Sequence, residues 1–234
     1  MYTNVNLLAP VGALAFLGTA FLLFVIGIVF LYSLLKKKFG LTRLALVTIA
    51  LVAGLYLAVL LVFSFASSEH VLARGEEKHF CEIDCHLAYS IIKVQEPKAL
   101  AEVANQAAAA NEVTAAGLFR VVTVKTRFDE TTIGPNRGDG LLYPNSRIVS
   151  VVDENGKEYL PAATAQRVLE NSQAAGTAMT VPLRPGESYT TTLVFDLPPN
   201  IKQPSLLIRE GEWVTHFVIG HENSLFHRKT RFQI

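Results

Sequence analysis

From Val11 to Leu35 the chain reads VGALAFLGTAFLLFVIGIVFLYSLL, without a single charged residue. A second uncharged run extends from Leu44 to Ser68 and contains LALVTIALVAGLYLAVLLVFSF. At about 1.5 Å of rise per residue, roughly 20 residues cross a hydrocarbon layer ~30 Å thick, so either run is long enough to span a bilayer with some tilt. Lipid offers no partner for a backbone N–H or C=O, which makes both runs helices. The expected spans are 11–35 and 44–66. No Lys or Arg precedes the first run, and its apolar stretch exceeds the ~7–15 residues of a signal-peptide core, so a retained helix is expected rather than a cleaved signal.

The segment between the runs, 36–43, holds Lys36, Lys37, Lys38 and Arg43. Short loops rich in Lys and Arg stay in the cytoplasm, which sets both termini on the other side. Neither span carries Asp, Glu, His, Lys or Arg, the groups on which ion pathways and proton relays depend, so the hairpin is expected to be an anchor. Ala50 and Gly54 have a small-xxx-small spacing, read here as packing the two helices together, the other reading being a face for a partner.

Hydrophobic residues make up 50% of the chain, but the excess lies in the first 66 residues; the rest has the composition of one globular domain. A net charge of +1 argues against a field that would draw nucleic acid. Residues 69–80 are read as a polar stem. Beyond them, 81–234 is expected to be an extracytoplasmic domain of seven or eight short strands. They are drawn from the candidate segments His86–Gln95, Leu118–Phe128, Arg147–Val152, Lys157–Leu160, Met179–Leu183, Ser188–Phe195, Ser205–Arg209, Val214–Gly220 and Leu225–Phe232, separated by turn residues. Asp153-Glu154-Asn155-Gly156 is a hairpin turn signal. The Ala-rich stretch Pro97–Gly117 is read as a helical insertion, and Thr164–Ser172 as a short helix. The fold class expected is two transmembrane helices followed by an antiparallel β-sandwich.

The two cysteines, Cys81 and Cys85, fall in Cys81-Glu82-Ile83-Asp84-Cys85-His86. In an oxidising compartment the simplest account is a local disulfide, which needs a turn to bring the Cα atoms within ~7 Å. Two thiolates and an imidazole are also ligands that copper favours. A third account is covalent haem on Cys81 and Cys85 with His86 as axial ligand. His79, His70, His216 or His221 would then supply the sixth ligand. With no cofactor, His86 is expected to be a partly buried strand residue satisfied by hydrogen bonding. Asp129, Glu130 and Asp139 border a Gly-rich loop without calcium-loop spacing and are read as a solvated turn. His216, His221 and His227 are too scattered to define a site, and the motifs of common hydrolases and phosphate-binding loops are absent.

Val181–Pro198, VPLRPGESYTTTLVFDLP, resembles the immunoglobulin-like domains of bacterial membrane-anchored proteins of unknown function, in which a Pro-Gly-Glu turn leads to a strand closed by Phe-Asp-x-Pro. That resemblance implies binding and assembly. Two helices followed by an outer β domain, together with Cys-x3-Cys, resemble subunit II of cytochrome oxidase, and the same spacing resembles its copper chaperones. Here the pair precedes the first expected strand, and Tyr89 stands where the subunit has a His ligand. Cys81-x3-Cys85-His86 also resembles a longer-linker variant of the c-type haem motif. The function expected is a membrane-anchored, non-catalytic binding or assembly module in the bacterial inner membrane. It carries no cofactor, and its partners are the bilayer and a membrane or envelope protein. The alternative is electron transfer or metal handling through Cys81, Cys85 and His86 with copper or c-type haem.

Overall fold

The computed structural model describes residues 8–80, 85–104, 113–132 and 138–234. These divide into two compact units: residues 8–68 with Glu212–Arg228, and Glu69–Gly211 with Lys229–Ile234.

The first unit is built on two long apolar helices, α1 (Leu8–Leu35) and α2 (Phe39–Phe65), each long enough to cross a membrane. The turn between them is tighter than the loop 36–43 read from the charges. Lys37 takes a left-handed φ of 53°, and the Lys38 N–H donates to the Ser33 carbonyl at 2.8 Å, closing α1 with a Schellman-type cap. α2 begins at Phe39, so Arg43 lies inside it. Ser33, Thr42, Ala45, Leu60 and Ser64 are buried within this unit, and across the hairpin the Ser33 and Thr42 hydroxyls meet at 2.9 Å. Large apolar residues face outward instead, among them Phe21, Phe24, Leu51 and Leu55. Ala50 is exposed and a side chain at Gly54 would meet open space, so the small-residue notch does not pack the hairpin. Registry with Thr42 and Ala45 turns that face away from α1.

The second unit holds two sheets. One runs β2 (Glu77–Phe80), β3 (Leu87–Gln95), β4 (Leu118–Phe128), β7 (Ser188–Leu197) and is antiparallel throughout. The other runs β1 (His70–Leu72), β9 (Thr230–Gln233), β8 (Ser205–Glu210), β5 (Arg147–Val152), β6 (Glu158–Tyr159), with β1 parallel to β9 and the remaining pairs antiparallel. Alternation on the strands builds one shared core: Tyr89, Ile91, Val122, Val124 and Phe195 from the first sheet meet Val149, Val151, Leu206, Ile208 and Phe232 from the second. Each such side chain contributes roughly 1.5–3 kcal/mol on burial. On the opposite face of β4 and β7, Phe119, Val121 and Val194 are covered by α3 (Ala101–Ala104) and α4 (Ala163–Asn171) through Leu100, Ala104, Ala165 and Leu169. Ala suits this layer because small side chains let a helix approach the sheet closely.

Several expectations change. Residues 69–80 form two strands, and Glu77–Phe80 is buried at every position, so the stretch is no polar stem. Met179–Leu183 makes only an isolated bridge, Leu142 to Leu183. Val214–Gly220 is no strand: Trp213–Phe217 forms a 3₁₀ turn, and of the strand expected at 225–232 only its end pairs, as β9. Of the Ala-rich insertion, residues 105–112 lie outside the described set. The Asp153 turn forms as expected, its Oδ1 accepting from the Asn155 and Lys157 N–H groups at 2.9 Å with Gly156 at φ 80°.

Candidate functional site

Among the described residues, a polar cluster assembles from β2, β4 and the turn that follows β4. Register places His79 opposite Ala88 and Ala88 opposite Arg127, so His79 and Arg127 share one face of the sheet. Glu77, two residues before His79, falls on that same face. Arg127 grips Glu77 in a two-pronged pair, Nε to Oε1 at 2.8 Å and Nη2 to Oε2 at 2.7 Å. Its Nη2 also donates to Asp129 Oδ2 at 2.9 Å, the oxygen that His79 Nε2 approaches at 2.9 Å. The other carboxylate oxygen, Oδ1, accepts from the Thr131 N–H at 2.9 Å and its hydroxyl at 2.6 Å.

These contacts set the charge states. Burial alone would push the Asp129 carboxyl up, but hydrogen bonds from Thr131 and His79 and the charge of Arg127 outweigh it and hold Asp129 well below the usual carboxylate range. The Arg127 hydrogen bond lowers Glu77 against an opposing burial effect. Hydrogen bonding from Glu77 raises Arg127 in turn. Glu77, His79 and Asp129 bring ligand-type atoms within 4.8 Å of one another. A metal does not fit there, because the Arg127 guanidinium already bridges both carboxylates where a cation would sit.

On the other face of β2, Lys78 points into the core and is fully buried. Its Nζ donates to the Ile208 carbonyl at 2.7 Å and the Thr230 carbonyl at 3.0 Å, tying the β2 sheet to β8 and β9. Beside it Arg147 and Glu210 pair at 3.5 Å, both buried, with the guanidinium 4.2 Å from the Phe80 ring centroid. The two sheets thus share charged as well as apolar contacts.

His86, singled out by its place after Cys85, is buried just ahead of β3 and stacks on Phe128 with ring centroids 5.0 Å apart. Its Nδ1 lies 2.6 Å from the Asp129 carbonyl oxygen. A carbonyl can only accept, so Nδ1 carries the proton and Nε2 presents a lone pair. Nε2 is buried and has no hydrogen-bond partner among the described residues. Cys85 is fully buried at a left-handed φ of 54°, and among the described residues no cysteine is free. Cys81 lies outside the described residues, and with it the Cys81–Cys85 bridge and any ligand set that includes Cys81.

Asp129, read as part of a solvated turn, is instead the centre of the buried network, while Glu130 and Asp139 are exposed as expected. The sixth-ligand candidates divide. His79 is engaged by Asp129, and His70 is on β1. His216 and His221 lie within Glu212–Arg228, in the hairpin unit. Glu77, Lys78, Arg127 and Arg147 carried no sequence signal as a group, since they come from strands far apart in the chain and meet only through sheet register.

No family model and no curated protein matches this chain. Among solved structures, it is similar to a conserved hypothetical protein from Bacillus anthracis, with a TM-score of 0.40 and 14% identity over 58% of this chain and 89% of that one. It is also similar to MPT63, a secreted protein from Mycobacterium tuberculosis, with a TM-score of 0.37 and 10% identity over 72% of this chain and 98% of that one.

Proposed function

We propose that this protein is a membrane-anchored binding or assembly module: a two-helix transmembrane hairpin carrying a non-catalytic, immunoglobulin-like β-sandwich outside the cytoplasm of a bacterial cell, with Cys81 and Cys85 joined as a disulfide. The observation that carries the reading is how the converging ionisable groups are used. Arg127 bridges the buried carboxylates of Glu77 and Asp129, and His79 bonds Asp129, so among the described residues these groups are engaged with one another, as a rigid scaffold requires. The outward apolar surfaces of α1 and α2 favour lipid as their solvent. Lys36, Lys37 and Lys38 between the helices, with Arg43 at the start of α2, favour a cytoplasmic turn. The lack of a free cysteine among the described residues favours the disulfide.

The test of the module is photo-crosslinking in the native membrane, from probes placed at exposed β-unit positions such as Tyr143 and Leu160. A discrete adduct with another membrane or envelope protein is expected. A chain that yields no adduct from any exposed strand or loop would overturn the assembly reading. Orientation has its own check. Protease added to intact spheroplasts should digest the β unit, and K36Q/K37Q/K38Q/R43Q should make part of the population resistant.

The second reading, metal or haem binding, rests on His86 alone. A protonated Nδ1 held by a backbone carbonyl, with an unpartnered Nε2 lone pair, is the arrangement that a ligating histidine adopts. Copper would supply one-electron redox chemistry there, and c-type haem likewise, with Cys81 and Cys85 completing the attachment or ligand set. A visible spectrum of the oxidised and dithionite-reduced protein, with elemental analysis of the same sample, separates the readings. An α-band on reduction or stoichiometric copper replaces the first by the second, and metal-free protein with a featureless spectrum excludes it.

A further inference from the structure

The connection between β8 and β9 does not behave as a sheet loop. Glu212–Arg228 belongs to the hairpin unit and folds back on itself. Its backbone groups are tied off internally: Leu225 N–H donates to the His216 carbonyl at 3.0 Å, Ser224 N–H to His221 at 2.9 Å, and His221 N–H to Val218 at 3.2 Å. Asn223 Nδ2 bonds Thr215 Oγ1 at 2.6 Å, and the Ser224 hydroxyl bonds the Val218 carbonyl. Such internal satisfaction is what a non-helical segment needs to enter a water-poor zone.

The loop seats on both helices. Tyr56 donates its hydroxyl to the Phe217 carbonyl at 2.6 Å. At Gly12 a Cβ would overlap the Ile219 carbonyl oxygen, so only glycine lets the loop backbone lie against α1 there. Phe226 stacks on Phe65 with centroids 5.8 Å apart, and the Arg228 N–H donates to Ser67 Oγ at 2.8 Å. Tyr56 lies about 13 Å along α2 from its end at Phe65, so the contact reaches well down the hairpin. Helices of 28 and 27 residues are also longer than the hydrocarbon layer, by roughly 10 Å at 1.5 Å per residue, leaving a band at the headgroup level for the loop to surround. While docked in this way, the loop leaves Trp213 70% and Phe226 69% exposed, with Phe226 against the equally exposed Phe65 of α2 and Trp213 against Phe217. Exposed Trp beside a span is the pattern of residues that settle at the lipid–water interface.

We propose that Glu212–Arg228 is a membrane-interface collar: it clasps the outward half of the hairpin and buries Trp213 and Phe226 in the headgroup boundary of the bilayer. This inference rests on the hairpin being a membrane anchor. The collar ties the β unit to the bilayer at a second point in sequence, between β8 and β9, in addition to the link after α2.

Trp213 is the chain's one tryptophan, so its fluorescence reports the collar directly. The full-length protein is reconstituted in phosphatidylcholine/phosphatidylglycerol vesicles, with the same lipids brominated near the headgroup or near the acyl terminus. Carbonate-resistant protein with blue-shifted emission, quenched most by the shallow bromine label and shielded from acrylamide, is the expected result. Carbonate-resistant protein with the red-shifted, acrylamide-quenched emission of a water-exposed indole overturns the collar and leaves the anchor standing. Protein extracted by carbonate overturns both. Gly12→Val should lose most of the lipid quenching while staying carbonate-resistant, because the added side chain displaces Ile219. Tyr56→Phe, which conserves shape and removes the hydroxyl bonded to Phe217, should lose less. Unchanged quenching in both variants would overturn the clasp on the hairpin.

Discussion

The hairpin and the β unit place polar and apolar side chains in opposite ways along the same chain. In the hairpin, small hydroxyls such as Ser33, Thr42 and Ser64 lie inside while Phe and Leu face outward. In the β unit, aromatic and β-branched residues fill the interior, yet charged groups are buried too: Lys78 between the sheets, and Glu77 and Asp129 on the other face, where the half-buried Arg127 bridges them. Hydroxyls suffice inside the hairpin because helices close their own backbone bonds. The β unit has strand ends, turns and two sheets to fix in register, and its buried charges answer specific carbonyls and carboxylates.

The sharpest way to break this contrast is Arg127→Met. It leaves the Glu77 and Asp129 carboxylates buried without their cation, which should cost about 3–5 kcal/mol. The denaturant midpoint of the β-sheet signal should fall, while the helical signal of the hairpin in detergent stays in place. Lys78→Met removes the ammonium that holds the Ile208 and Thr230 carbonyls, and should cost about 1–3 kcal/mol for acceptors left buried. The loosened contact between the sheets should appear as increased amide exchange around Ile208 and Thr230 before global unfolding.

Acid separates the two units in another way. Asp129 and Glu77 have lowered folded-state values, so the stability they contribute is complete above the ordinary carboxylate range. It is lost as the pH falls through those lowered values. The β unit should therefore weaken progressively below about pH 4, where unfolded carboxylates begin to take up protons. The hairpin has no acid or base within its uncharged runs and should keep its helical signal across the same titration. In Asp129→Asn the acid slope should be shallower. The smallest effect is expected from Ser33→Ala, about 0.5–1 kcal/mol, the size of an interhelical hydroxyl bond in a membrane if the hairpin is the anchor proposed above. A fluorescence-transfer pair across the hairpin ends would read it as an increased open fraction.

Much of the fold was legible because it is written in local pattern. Uncharged runs identify α1 and α2, and alternation with turn residues identifies β3, β4, β5, β7 and β8. The Asp153–Gly156 turn follows from its own side chains. The misreadings share one cause. Glu77-Lys78-His79 looks like solvent-exposed chain because a charge's burial depends on a partner that sequence does not show: Glu77 waits for Arg127, and Lys78 for the carbonyls of β8 and β9. Val214–Gly220 reads as a strand by composition, but its apolar residues serve the hairpin, with Phe217 and Ile219 set against Tyr56 and Gly12.

What the amino-acid sequence determined by itself is therefore the pair of apolar helices, the basic turn between them and the β character of the rest. Each depends on a run or a period within one segment. Which charges are buried, which carbonyls Lys78 satisfies, and that Glu212–Arg228 joins the hairpin rather than a sheet were decided by tertiary structure. In each case the stabilising partner lies on a different element, and only the folded backbone brings it within hydrogen-bonding distance.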